Sequence, residues 1–235
     1  MPVLDFIGTI VLTAIIVVSV NALISTIDIP RTGRLAIAGA VGLWVGLQAA
    51  LATSGVYVTG AAFIGLSILV AVLAAVTAYA ASPALRRAVL KLPTPLLVGL
   101  HASRVLGVFF LLLAVEGRLS GPFPLSAGIG DIITGVLALP LAIALARGSA
   151  TRTVLVGWSI FGTLDLVVAA GLGIASAEGT PLQLIHVGAG SAAIADLPWA
   201  FIPTVAVPFF LIVHAIIFVQ LRESSARPTR FMQAA

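Results

Sequence analysis

The sequence predicts an all-α, polytopic membrane fold: a bundle of seven transmembrane helices with its N-terminus outside and its C-terminus cytoplasmic. Three observations carry this expectation. Hydrophobic residues make up 60% of the 235-residue chain and charged residues only 9%, at a mean hydropathy of +1.22, outside the range of soluble domains. Seven apolar stretches approach the roughly 20 residues that an α-helix needs to cross a hydrocarbon core. Lys and Arg gather on alternate connections between those stretches.

Residues 3–27 form the first predicted span. The start MPVLDF is poor in charge, the apolar run is too long for a signal-peptide core, and the exit STIDIPRTGR lacks a small-residue cleavage site, so the helix is expected to be retained. The second span, 34–54, carries Gly42 and Gly46 at a spacing suited to close helix packing, together with the amide Gln48. A short GVYVT connection leads to the third span, 60–81, with Tyr57 and Tyr79 expected at the membrane interfaces. The fourth, 95–115, contains the polar run His101-Ala102-Ser103-Arg104. The fifth, 127–147, is approached through PFPLSAGIGDIITG, whose glycines permit close approach of a neighbouring helix. The sixth is 153–175 and the seventh 203–221, where Pro208 withdraws a backbone donor and bends or widens the helix. Between them, 176–202 is long and apolar enough to fold over the outer mouth, with a short interfacial or re-entrant helix around His186 and Trp199 as an interfacial anchor.

Orientation follows from counting cations. With the N-terminus outside, the inner side receives Arg31, Arg34, Arg86, Arg87, Lys91, Arg147, Arg152, Arg222, Arg227 and Arg230, against Arg118 alone on the outer side. The chain is therefore expected as a single transmembrane domain over 1–235 in a bacterial-type inner membrane, in contact with lipids, and its small-residue surfaces are compatible with a homodimer. Seven spans with an outer N-terminus match rhodopsins in count and orientation. The only lysine, Lys91, lies in a loop, so a retinal Schiff base in the last span is excluded.

Composition removes several chemistries. No cysteine is present, which excludes disulfides, thiolate metal sites and a cysteine nucleophile. The +4 net charge comes from sparse cations between apolar runs, a topology signal rather than a nucleic-acid surface. Zinc-protease, dinucleotide and phosphate-loop motifs are all missing.

What remains is a set of ionisable groups where unpaired charge is costly: His101, Arg104, Asp131, Asp165 and His214. His101 and Arg104 are three residues apart and face the same side of their helix. Depths counted from the span ends bring His101, Arg104, Asp165 and His214 together, with Arg104 pairing to Asp165. Asp131 is expected about 6 Å below the outer boundary, on the same side as Glu116 and Asp196 and within reach of His186. Ser103 is expected to bond a backbone carbonyl.

The polar site is thus predicted mainly within 95–221, as a pocket for a small polar or amphiphilic ligand that is bound and translocated or sensed. Arg104 would attract an anionic group, Asp165 would orient Arg104, the two histidines would donate hydrogen bonds or exchange protons, and Asp131 and His186 would line the outer approach. Two alternatives stand beside it. One is a membrane-embedded enzyme that uses a haem held by His101 and His214, or a divalent metal completed by Asp165. The other is a scaffold whose polar groups only specify helix packing.

Overall fold

The structure, a computed structural model, describes residues 2–225. Arg227 and Arg230, two of the cations counted above, lie outside the described residues. Seven helices are long and apolar enough to cross a membrane: Val3–Thr26, Arg31–Thr53, Ala61–Ala81, Thr94–Val115, Pro122–Ala146, Arg152–Ala175 and Ile202–Ser224.

In chain order α1 is Pro2–Thr26 and α2 is Arg31–Thr53. Gly55, at φ 77°, turns the chain into the one-turn helix α3, Val56–Thr59, and Gly60 leads into α4, Ala61–Ala81. The connection expected after α4 is itself helical. The Ser82 hydroxyl accepts from Leu85 N–H, Pro83 occupies the first helical position, and α5, Pro83–Leu90, buries Ala88 and Val89 while Arg86 and Arg87 stay exposed.

The fourth crossing is not one regular helix. It runs as α6, Thr94–Leu100, then a 3₁₀ segment, His101–Gly107, then α7, Val108–Val115. The fifth, α8 (Pro122–Ala146), starts five residues earlier than the sequence predicts. Its start is set locally: Gly121 has φ 75° and Pro122 pre-sets the first helical turn. The sixth crossing, α9, is Arg152–Ala175, capped by the Thr151 hydroxyl on Val154 N–H. The seventh opens with a π-helical turn, Ile202–Ala206, and continues as α10, Val207–Ser225.

The expected helix around His186 is absent. Residues 176–191 are irregular and His186 is exposed; a short 3₁₀ turn follows at Ala192–Ala195. Trp199 is a second correction, since it is fully buried rather than anchored at an interface, and its indole Nε1 donates to Asp5 Oδ1 at 2.7 Å. Arg118 Nη1 donates to the same oxygen at 2.7 Å, so α1, the end of the fourth crossing and the approach to the seventh are tied together at one end of the bundle. At the opposite end Lys91 Nζ meets Asp28 Oδ2 at 3.0 Å, and Gln220 Nε2 donates to the carbonyls of Val89 and Leu92.

Two buried apolar clusters stack along the bundle. Near the first end are Leu12, Phe109, Phe110, Leu113, Phe123 and Trp199; near the other are Leu97, Val98, Trp158, Val213 and Ile217. The outward faces of α1, α2 and α4 are apolar and exposed, for example Phe6, Leu43 and Leu73, and lipid tails fit them. Lipid is as apolar as these side chains, so close packing and interhelical hydrogen bonds, more than apolar burial, select this arrangement of helices. The Gly42–Gly46 pair contributes nothing to that packing within the chain: no atom lies within 4 Å of a methyl built on either glycine.

Candidate functional site

The layer between the two apolar clusters is polar. Arg104 lies at its centre with only 1% of its side chain exposed. The guanidinium Nε donates to Asp131 Oδ1 at 2.6 Å, Nη2 to Asp165 Oδ2 at 2.5 Å, and Nη1 to the Gly162 carbonyl at 3.0 Å. All three nitrogens are therefore engaged, by two carboxylates from α8 and α9 and one backbone carbonyl from α9. Such charge-assisted contacts are the strong class of hydrogen bond.

Pairing of Arg104 with Asp165 agrees with the sequence expectation; the position of Asp131 does not. Because α8 begins at Pro122, Asp131 is about 14 Å along that helix. It belongs to the Arg104 network and not to an outer gate with Glu116 and Asp196. Glu116 instead approaches Arg118 at 3.5 Å, and Asp196 is exposed. His186, exposed on its loop, is also apart from the network.

His101 and His214 do meet. Both are fully buried, their ring centroids are 4.1 Å apart, and Trp158 and Phe210 enclose them. Phe210 packs against both His101 and the Arg104 guanidinium, whose carbon is 5.8 Å from its ring centre, and His214 Nε2 and Arg104 Nη1 converge above Gly162. Neither imidazole has a hydrogen-bond partner at either nitrogen. Buried polar atoms normally have one. The 3₁₀ geometry explains how the sequence aims these groups, since at three residues per turn positions i and i+3 eclipse and His101 stands directly behind Arg104. Ser103, off that face, donates to the Leu100 carbonyl at 2.8 Å as expected.

Glycine makes the close approach possible. A methyl on Gly130 would fall 1.7 Å from Asp165 Oδ1, one on Gly107 2.5 Å from Asp131 Cβ, and one on Gly162 2.7 Å from His214 Nε2 and 3.0 Å from Arg104 Nη1. Gly135 lets α8 approach the backbone of the 3₁₀ segment, with only 2.6 Å between its built methyl and Val105 N.

Two clefts meet at Asp131. One, an open cleft with about 40 Å³ of interior space, lies between α4, α8, α9 and the π turn, with Ile64, Ala169, Ala170 and Pro203 among its walls. The other, likewise open and with about 50 Å³ of interior space, lies between α1, the 3₁₀ segment and α10, with Leu12, Ile15, Arg104 and Ala206 among its walls. Phe110, Leu166, Ile202 and Val207 are common to both. The walls are apolar apart from Asp131, Arg104, Ser103 and Ser191.

The cofactors expected as an alternative do not fit this arrangement. The His101 and His214 rings lie with centroids 4.1 Å apart and planes tilted by 38°, which leaves no slot for a haem between them. A divalent ion completed by Asp165 meets a different obstacle, since Asp165 Oδ2 is held by Arg104, whose guanidinium also borders His214. Among the described residues no three His, Asp or Glu side chains are arranged to hold a metal ion.

Several members of the site were not foreseen in sequence: Trp158, Gly162, Phe210, Gly107 and Asp131 as a partner of Arg104. A signal existed for some of this set. Trp158, Gly162 and Asp165 follow an i, i+4, i+7 spacing that places them on one face of α9. The glycines around Asp131 were legible as close-approach residues, but their contact partner was not.

No curated protein and no solved structure matches the chain. Residues 61–222, from the start of α4 to the last helix and including every member of the Arg104 network, match the family described as Domain of unknown function (DUF8737), and the chain belongs to that family.

Proposed function

We propose that this protein binds a small amphiphilic ligand inside the membrane and translocates or senses it. The apolar portion of the ligand occupies the clefts beside Phe110, Leu166, Ile202 and Val207, and its polar head reaches Asp131. The observation that carries this reading is the position of Asp131: one carboxylate, ion-paired to Arg104, forms the polar point at which two apolar clefts meet. Small-molecule sites combine such apolar walls with a few convergent polar groups. A scaffold whose ion pairs only specify helix packing has no need of clefts beside the pair.

The orientation belongs to the same proposal. With the N-terminus outside and the C-terminus cytoplasmic in an inner membrane, segment 176–202 caps the outer end, and the apolar cluster around Leu97, Val213 and Ile217 closes the inner end. One transmembrane domain then holds the whole site, with His101 and His214 behind Arg104 as groups able to exchange protons.

The test fills the clefts without touching the ion network. Ala169 and Ala206 are partly buried wall residues, one in each cleft. Purified protein in lipid nanodiscs should bind spin-labelled alkyl-chain amphiphiles saturably, and Ala169→Phe combined with Ala206→Phe should abolish that binding while the melting temperature holds. Equal binding by the filled variant and the parent would overturn the proposal.

A further inference from the structure

We infer that the loop after α9 is a lipid anchor: Leu182, Leu184 and Val187 enter the headgroup–acyl boundary of the leaflet at that end of the bundle. The inference is independent of any ligand in the clefts. It starts from the polarity of the loop, which is the reverse of that of a loop bathed in water. Leu182, Leu184 and Val187 are 47%, 79% and 51% exposed. Gln183, between the first two, turns its amide back on the loop: Oε1 accepts from the Gly179 N–H at 2.9 Å, and Nε2 donates to the Ile185 carbonyl at 3.3 Å. The Thr180 hydroxyl likewise donates to the Ala177 carbonyl at 3.0 Å. Large apolar side chains thus face outward while neighbouring polar ones serve the backbone. Single apolar residues scattered over a surface need no explanation, but a group of them marks an interaction site.

The loop is held at a defined height. The N–H groups of Leu184 and Ile185 donate to the carbonyl of Ala175, the last residue of α9, at 2.8 and 2.9 Å. The Gly190 N–H donates to the Ser120 hydroxyl at 2.7 Å, and that hydroxyl donates to the Val187 carbonyl. Leu184 is therefore level with the end of a membrane-crossing helix. Its neighbours continue into the lipid-facing surface of the bundle. A methyl built on Gly121 would lie 3.6 Å from Val187 Cβ and 3.7 Å from Ile185 Cγ2, and Gly121 caps α8, whose exposed Leu125 and Ile129 follow it at four-residue intervals. That continuity selects lipid as the occupant.

Depth follows from the backbone. Residues 176–191 are irregular, and irregular backbone that faces lipid is excluded from the hydrocarbon core. The chain therefore stays at headgroup level while the three side chains reach the boundary, as the apolar face of an interfacial helix does. Glu178, exposed just before the turn at Gly179 (φ 70°), remains in water.

Because the chain has no cysteine, single nitroxide labels read depth without background. The full chain in lipid nanodiscs, as Leu184→Cys, Val187→Cys, Glu178→Cys or Ile129→Cys, is probed by power saturation with oxygen, which concentrates in lipid, and with a water-soluble nickel chelate. Ile129 gives the lipid reference and Glu178 the aqueous one. We expect both loop labels to collide more with oxygen than with the chelate, the order to reverse at Glu178, and the loop labels to lie about 5–10 Å into the boundary. Leu182→Cys gives a third, independent reading of the same patch. Loop labels as open to the chelate as the one at Glu178 would overturn the inference. So would labels shielded from both agents, the result expected if a second copy of the chain or another protein covers the patch. Either failure leaves the cleft-filling test untouched, because that test reads the interior of the bundle.

Discussion

A methyl group on Gly130 would sit 1.7 Å from Asp165 Oδ1, so one added carbon must break the ion pair or push α8 and α9 apart. Gly42 offers the opposite case, with no atom within 4 Å of the same addition. Gly130→Ala should therefore destabilise the detergent-purified protein by about 3–5 kcal/mol, the range for breaking a buried pair. Gly42→Ala should be neutral or stabilise by up to about 1 kcal/mol, because alanine is the better helix former. Melting curves of the two variants against the parent check both values, and equal behaviour would refute this close packing of α8 on α9. Sequence spacing offers no means of ranking these glycines. Gly42 and Gly46 carry the small-x-x-x-small signature yet face away from the bundle, whereas Gly162, with Trp158 and Leu166 four residues to either side, lacks that spacing and forms the floor of the site. The reason is physical: the signature describes a surface that can pack closely, and only the helix rotation, set by the rest of the bundle, decides what it packs against.

At the scale of elements, the seventh crossing shows how a sequence feature is absorbed by its neighbours. Pro208 cannot donate to the carbonyl four residues back, that of Thr204, and the chain takes a π turn over Ile202–Ala206 just before it. The Trp44 indole Nε1 on α2 donates to that carbonyl at 2.9 Å. Trp44→Phe should cost about 1–3 kcal/mol by leaving the carbonyl unpaired. In a Pro208→Ala background the residue at 208 regains its own N–H, the need for Trp44 shrinks, and the same substitution should cost less. A double-mutant cycle read by thermal melting gives the coupling; additive effects would show that the indole does not serve the carbonyl freed by Pro208. The bend was legible from Pro208 alone, but the partner was not, because Trp44 lies 160 residues away in sequence. The 3₁₀ stretch His101–Gly107 was equally hidden, since nothing in H-A-S-R-V-L-G distinguishes it from an α-helix until α8 presses Gly128 and Gly135 against it.

For the whole molecule, the seven crossings were readable because lipid imposes a length and a composition on each one, independent of any neighbour. Their boundaries agree closely with the apolar runs except at α8, where Gly121 and the P-F-P run start the helix early and carry Asp131 into the middle of the bundle. That single shift turned an expected outer gate into half of the ion network. Which face of the membrane each end meets rests on a different physical signal, the ten cations against one on alternate connections. The chain has no cysteine, so single thiols report topology without background. Glu178 and Ser149 are exposed in connections at opposite ends of α9. In intact cells a membrane-impermeant maleimide should label Glu178→Cys, and it should reach Ser149→Cys only after permeabilisation. The reverse pattern would invert the bundle and place segment 176–202 over the cytoplasmic end. The ligand would then meet its site from the inside, and the direction of the proposed translocation would invert with it.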